Sequence, residues 1–374
     1  MNVVFAAGGT GGHLYPALAV AAALKNFAAG ARVPMQISFL GNASRLEATL
    51  VPQAGYPLSF IAGGPLARKI SLQTLSTVFS NAYGVLLSLA ALHRKQPDFI
   101  IATGGYVSFP VVIAGRLLRA LRISCARIVL LEINAYPGLT NRLVAPLVHE
   151  VWGSFASAAS YFGDKYHRTG VPLRDELTAR DRTEAAALLG IDPGKTTILV
   201  MGGSQGARSI NQAVLELLSR RRLPPDWQIV HVSGERDYDR VRAHQRAMPE
   251  HPVTKLLAYA HDMSAAYAAC DIVVCRAGAS TLAELAATAK PSILVPYPFA
   301  AENHQMANAR EFAQAGAACI LLDSALNSDN LWRLLRGCME PGKLATMGAR
   351  ARSLAGGNPM REILLRIRAL AQRG

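Results

Sequence analysis

Val3-Val4-Phe5-Ala6 leads into Gly8-Gly9-Thr10-Gly11-Gly12-His13, and a helical pattern over 14–24 follows at once. An apolar β-type run, a loop of small residues and then a helix is the unit that presents bare backbone N–H groups and a helix N-terminus to an anion. The strand–loop part recurs twice. Phe99-Ile100-Ile101-Ala102 precedes Gly104-Gly105-Tyr106-Val107-Ser108. Ile198-Leu199-Val200-Met201 precedes Gly202-Gly203-Ser204-Gln205-Gly206-Ala207, with a helical pattern over 210–218. Two such loops near the start and one near the middle predict two nucleotide-fold halves facing one cleft.

Further strand-like runs at 36–40, 127–131, 227–232, 271–274 and 292–296 alternate with helical patterns. Alternation of this kind predicts α/β architecture, with parallel sheets covered by helices in two doubly wound domains. In such sheets ligands bind at the carboxyl ends of strands, where the glycine loops fall. Turn formers without periodicity over 163–176 mark a break. The expected domains are 1–170 together with a returning tail at 350–374, and 173–349.

At 374 residues the chain is long enough for two cores, and 51% hydrophobic against 17% charged residues places it among globular chains. Five scattered cysteines without Cys-x-x-Cys spacing predict reduced thiols. No basic leader precedes the first apolar run, and the uncharged stretch 71–92 is interrupted by polar residues, so neither a signal peptide nor a transmembrane helix is expected. The net charge of +14 is uneven. Residues 1–172 hold 14 Lys/Arg against 5 Asp/Glu, 173–349 hold 19 of each, and 350–374 hold 6 against 1. That asymmetry points to an anionic partner: lipid, nucleic acid or a diphosphate. Aromatic residues make up only 7% and form no stacking platform, which argues against nucleic acid.

The first loop supplies Gly9-Thr10-Gly11 but has Leu14 where a dinucleotide fingerprint needs its third glycine, and the second strand ends Leu40-Gly41-Asn42 without an acid. No Walker loop, zinc spacing or Gly-x-Ser-x-Gly elbow occurs, and Asp237-Tyr238-Asp239 lies in a charged, solvated stretch, so no metal is expected. His13 stands at a helix N-terminus, which favours the neutral imidazole that can act as a base. In Cys275-Arg276-Ala277-Gly278-Ala279-Ser280-Thr281-Leu282-Ala283-Glu284 a strand, a small-residue turn and a helix follow one another. Glu284, expected in about the first helical turn, suits a ribose, and the helix amides suit a phosphate. Pro296-Tyr297-Pro298 leads to Glu302-Asn303-His304-Gln305, whose amide and imidazole groups suit sugar hydroxyls. Arg68-Lys69-Ile70, Phe79, Tyr83, Leu86 and Arg94-Lys95 interleave apolar and basic residues as a headgroup-level membrane contact does.

Taken together, GGTGGH, TGGYVSFP, GGSQGARSINQ, CRAGASTLAEL and HQMANA resemble the bacterial MurG family, from Val3 to about Gly357. The resemblance implies a glycosyltransferase-B fold of two Rossmann-like domains. It implies transfer of N-acetylglucosamine (GlcNAc) from UDP-GlcNAc to undecaprenyl-pyrophosphoryl-N-acetylmuramyl-pentapeptide in peptidoglycan synthesis. The donor would bind the second domain and the lipid acceptor the first, with no cofactor and no metal. Carried residue by residue, it implies UDP-GlcNAc contacts at Thr10, Gly11, Gly12, Asn134, Arg174, Ser204, Ala260, Ala279, Ser280, Thr281, Leu282, Ala283, Glu284 and Gln305. Gly104, Gly105 and Tyr106 would meet the acceptor diphosphate. His13 is the first candidate for the general base and Glu132 the second. Leu131 and Ile133 depart from the family's usual His and Gln around Glu132, and Phe109 stands where glycine is common. The implied setting is peripheral, on the cytoplasmic face of the cell membrane, against an anionic lipid surface and beside other cell-wall synthesis proteins.

Overall fold

The computed structural model describes the chain except residues 10, 65–71, 174, 179, 204–205, 221–222, 249–252, 261 and 373–374, and except the side chains of 72–75, 175–176 and 253–254. Thr10, Arg174 and Ser204 therefore lie outside the described residues, as does Arg68-Lys69-Ile70. The chain forms two compact units: Met1–Pro172 with Gly357–Gly374, and Leu173–Gly356.

The first unit runs β1 (Asn2–Ala6), α1 (Gly11–Ala31), β2 (Gln36–Gly41), α2 (Glu47–Gln53), β3 (Leu58–Phe60), α3 (Leu72–Lys95), β4 (Phe99–Ala102), α4 (Gly105–Ala120), β5 (Arg127–Glu132), α5 (Leu139–Val144), β6 (Glu150–Gly153), α6 (Ala159–Phe162) and β7 (Tyr166–Arg168). Its seven strands are all parallel, in the order β3-β2-β1-β4-β5-β6-β7. β4 and β5 are buried at every residue, as continuous apolar strands covered on both faces must be. Val4, Ile100, Val111, Leu130 and Val151 share one core.

The second unit runs α7 (Arg182–Leu189), β8 (Thr196–Met201), α8 (Arg208–Ser219), β9 (Trp227–Val232), α9 (Tyr238–Arg246), β10 (Val253–Leu257), α10 (Met263–Ala269), β11 (Ile272–Cys275), α11 (Ala279–Ala287), β12 (Ser292–Leu294), α12 (His304–Gln314), β13 (Ala318–Ile320), α13 (Ser328–Cys338) and α14 (Lys343–Leu354). Its six parallel strands are ordered β10-β9-β8-β11-β12-β13. Ile198, Val200, Ile210, Val214 and Val274 lie in its core.

Both orders reverse direction once, between β1 and β4 and between β8 and β11. At that point neighbouring strands send their connections to opposite sides and leave a crevice at their carboxyl ends. All three glycine loops and the 276–279 turn follow these four strands.

α15 (Pro359–Gln372) returns to the first unit. Its buried Ile363, Ile367 and Leu370 recur at helical spacing, and Arg366 pairs with the buried carboxylate of Glu150. The return begins at Gly357 rather than 350, because α14 packs on α11 within the second unit. Among the described residues one helix, α1, is long and apolar enough to cross a membrane. Here Leu14, Ala17, Val20, Ala21, Leu24 and Ala28 bury one face of it against the sheet of the first unit.

Candidate active site

In the first unit the residues singled out at 13, 104–105, 132 and 134 converge on the carboxyl ends of β1, β4 and β5. His13 sits in the first turn of α1, and its Nδ1–H donates to the Thr103 carbonyl at 2.8 Å. That bond selects the tautomer whose lone pair is on Nε2, as a base requires. Gly104 and Gly105 have φ of +95° and +72°, a region that other residues avoid. A Cβ on Gly104 would lie 2.9 Å from the His13 ring, and one on Gly105 would lie 2.7 Å from the Gly8 carbonyl. These glycines thus admit both the turn and the imidazole. Ser108 Oγ accepts from the Gly104 N–H and donates to the Gly104 carbonyl, each at 2.8 Å, which locks the start of α4.

Glu132 ends β5 with its side chain fully enclosed. Oε1 accepts from the Asn134 backbone N–H at 2.9 Å and from Asn134 Nδ2 at 3.1 Å. Oε2 accepts from the Gly138 N–H at 3.2 Å and from Asn141 Nδ2 at 2.7 Å. Burial pushes the carboxyl up and these four donors pull against it. A carboxylate whose acceptor sites are all filled has no lone pair left for a substrate hydroxyl. The geometry makes Glu132 the organiser of the 133–141 turn, with burial holding its carboxyl above the usual range. Leu131 and Ile133, the departures from the family pattern, are buried at 1% and 7% exposure, so they pack and do not face a ligand. Asn141 escaped the sequence reading, and Thr103, though inside the second loop motif, was not given its part as the acceptor for His13, a partner 90 residues away.

In the second unit the third loop closes with the Gly206 N–H donating to the Gly203 carbonyl at 3.0 Å. Behind it, Asn211 Nδ2 donates to the Ser233 carbonyl at 2.9 Å and to Asp237 at 2.7 Å, while the His231 Nε2–H donates to Asn211 Oδ1 at 2.8 Å. Arg240 grips Asp237 and holds its carboxyl below the usual range. Asp237 thus ties α8 to the start of α9, and no His/Cys/Asp/Glu cluster suited to a metal occurs among the described residues.

After β11, Arg276 donates to Asp323 at 2.6 Å, to Ser209 at 2.9 Å and to the Val295 carbonyl at 3.2 Å. One guanidinium thereby ties together the loops at the ends of β11, β12 and β13 and the first turn of α8. α11 starts at Ala279 behind Gly278, and no side chain caps it, so its first amides face outward from the turn. Leu282 is wholly buried, which restricts any ligand contact there to backbone, whereas Ser280 is exposed. Glu284 is the sixth helical residue, one turn deeper than expected, and the Tyr267 hydroxyl donates to its Oε2 at 2.7 Å. Gln305 Oε1 accepts from the Ala277 N–H at 3.2 Å and the Tyr297 N–H at 2.9 Å, which turns its NH2 end away from both. Ala260 follows β10 at the sheet edge and joins neither cluster.

Residues 3–152 match the glycosyltransferase family 28 N-terminal domain, and residues 197–363 match the family 28 C-terminal domain. The chain is 40% identical over 383 residues to a UDP-N-acetylglucosamine–N-acetylmuramyl-(pentapeptide) pyrophosphoryl-undecaprenol N-acetylglucosamine transferase of Chlorobium luteolum, covering 100% of both chains. The protein of the same description from Desulfitobacterium hafniense is 38% identical over 370 residues, 97% of this chain and 98% of the relative. The crystal structure of Acinetobacter baumannii MurG superimposes with a TM-score of 0.78 at 26% identity, over 98% of this chain and 99% of that one.

Proposed function

The chain belongs to glycosyltransferase family 28, among the UDP-N-acetylglucosamine–N-acetylmuramyl-(pentapeptide) pyrophosphoryl-undecaprenol N-acetylglucosamine transferases, and from that membership we propose that it moves GlcNAc from UDP-GlcNAc to the muramyl 4-hydroxyl of the undecaprenyl-linked acceptor. The observation that carries this reading is similarity along the whole chain.

The reaction is an inverting displacement. The 4-hydroxyl oxygen attacks the anomeric carbon, the bond from that carbon to UDP breaks, and a β-1,4 bond forms. His13 Nε2 takes the hydroxyl proton, a role supported by its tautomer. The departing diphosphate is held by backbone amides at Ala279, Ser280 and Thr281, which are preorganised for negative charge, and the family pattern assigns Ser204 to the donor as well. Glu284, oriented by Tyr267, accepts ribose hydroxyls, Ala260 meets uracil with its backbone, and Gln305 serves the sugar; the family pattern also assigns Thr10, Gly11, Gly12 and Asn134 to the donor. The family pattern assigns Arg174 to the donor too. Amides of Gly104, Gly105 and Tyr106 hold the acceptor diphosphate. No step calls for a cofactor.

An acceptor carried on a membrane lipid supports a peripheral setting at the cytoplasmic face of the membrane. Phe79, Tyr83 and Leu86 support this: they are 72%, 56% and 63% exposed, they lie at helical spacing on α3, and that helix ends in His93, Arg94 and Lys95.

The test is transfer from labelled UDP-GlcNAc to the lipid-linked acceptor by the purified chain. A β-linked disaccharide product with acceptor-dependent UDP release is expected. Conversion of UDP-GlcNAc to its C2 epimer without acceptor would instead assign a UDP-sugar epimerase of the same architecture and overturn the reading.

A further inference from the structure

Glu47, the first residue of α2, has no part in the reaction set out above, yet its carboxylate is completely buried beneath the first glycine loop. Oε2 accepts from the Gly9 N–H at 3.2 Å, and Oε1 accepts from the Asn42 N–H at 3.1 Å. One carboxylate therefore bridges the loops that follow β1 and β2. The surrounding backbone is cut to fit it. A Cβ on Gly8 would lie 2.7 Å from Glu47 Cδ, and one on Gly41 would lie 2.8 Å from Glu47 Cγ. From the other side the Tyr106 ring covers the loop, and a Cβ on Gly9 would lie 2.7 Å from its Cε1. Burial pushes the Tyr106 phenol up, and the neighbouring Glu47 charge adds to the effect.

A buried carboxylate is costly, and an apolar side chain would pack this space more favourably. What an apolar side chain cannot do is turn the Gly9 amide inward. That amide, four residues before His13, is consequently withdrawn from any ligand.

We infer that Glu47 is a positioning residue for the transfer: by holding the Gly9 and Asn42 amides it fixes the first glycine loop, and with it His13, against the acceptor. The inference rests on the transferase reading. Glu47→Gln keeps the shape but puts an NH2 group against one of the two N–H donors. Glu47→Asp falls short of spanning both. In the full-length chain each variant is assayed for transfer to the lipid-linked acceptor, with calorimetric titration of UDP as a count of folded molecules. Hydrogen exchange at Gly9 and Asn42 is followed in parallel.

The expected result is a drop in kcat/KM of about 10- to 100-fold, with UDP stoichiometry and affinity within about twofold of the parent and protection lost at one of those two amides. Transfer within about twofold of the parent, or a loss matched by an equal loss of UDP stoichiometry, would overturn the inference, since the latter is what a purely structural role produces. A parent chain that transfers no GlcNAc would fail at the earlier step and refute the transferase reading itself.

Discussion

Replacing Glu132 by Gln separates an organising carboxylate from a catalytic one. The carboxylate accepts from four donors, two on each oxygen. Glutamine offers a single acceptor oxygen, so two of the four N–H groups are left facing an NH2 group. Hydrogen bonds to a charged acceptor are each worth about 1.5–3 kcal/mol, which sets the expected loss at about 3–6 kcal/mol. That is a large share of the 5–15 kcal/mol that holds an ordinary domain together. Urea unfolding should register the loss, and hydrogen exchange should place it in the 133–141 turn. Transfer should fall in parallel as the turn loosens. A general base behaves differently: its removal costs about 10²- to 10⁴-fold in rate without destabilising the fold. If Glu132→Gln unfolded within about 0.5 kcal/mol of the parent while transfer collapsed, the organising role would be refuted and Glu132 restored as a base.

His13→Ala should lower kcat by about 10²- to 10⁴-fold and abolish the acidic limb of the pH–rate profile, with UDP binding measured by calorimetry unchanged. Burial lowers the His231 imidazole to about 4, whereas an unfolded histidine titrates near 6.5, so the unfolded chain binds a proton that the fold refuses. Its contribution is intact above about pH 6.5 and falls by up to about 3 kcal/mol as the pH drops through 4, and urea unfolding across that range should show a shallower pH slope for His231→Gln. Phe79→Glu with Leu86→Glu should weaken binding to anionic vesicles in flotation assays. The parent's own binding should decline as salt rises past about 0.15 M, where the screening length shrinks to about 8 Å.

Local pattern was enough for the parallel α/β architecture and for the strands that carry the glycine loops. Apolar runs buried on both faces, such as 99–102 and 198–201, look alike in any context, and small residues after them can serve little but a turn or a close approach. The charge asymmetry and the returning basic tail were equally visible in the chain.

Other features depended on partners distant in sequence. β6 carries Glu150 inside the sheet, which hides it from any apolar pattern; Arg366, 216 residues later, is what makes a buried carboxylate tolerable there. The three-residue edge strands β3, β7 and β13 are too short to show a period. At Glu132 a sequence displays a titratable group but not its acceptor sites, and only the folded turn shows Asn134, Gly138 and Asn141 donating to them. Residue type and spacing set which groups could do chemistry. Hydrogen bonds closed by the folded loops decided how each of those groups is held, since an acceptor site is taken by whatever donor the fold brings to it.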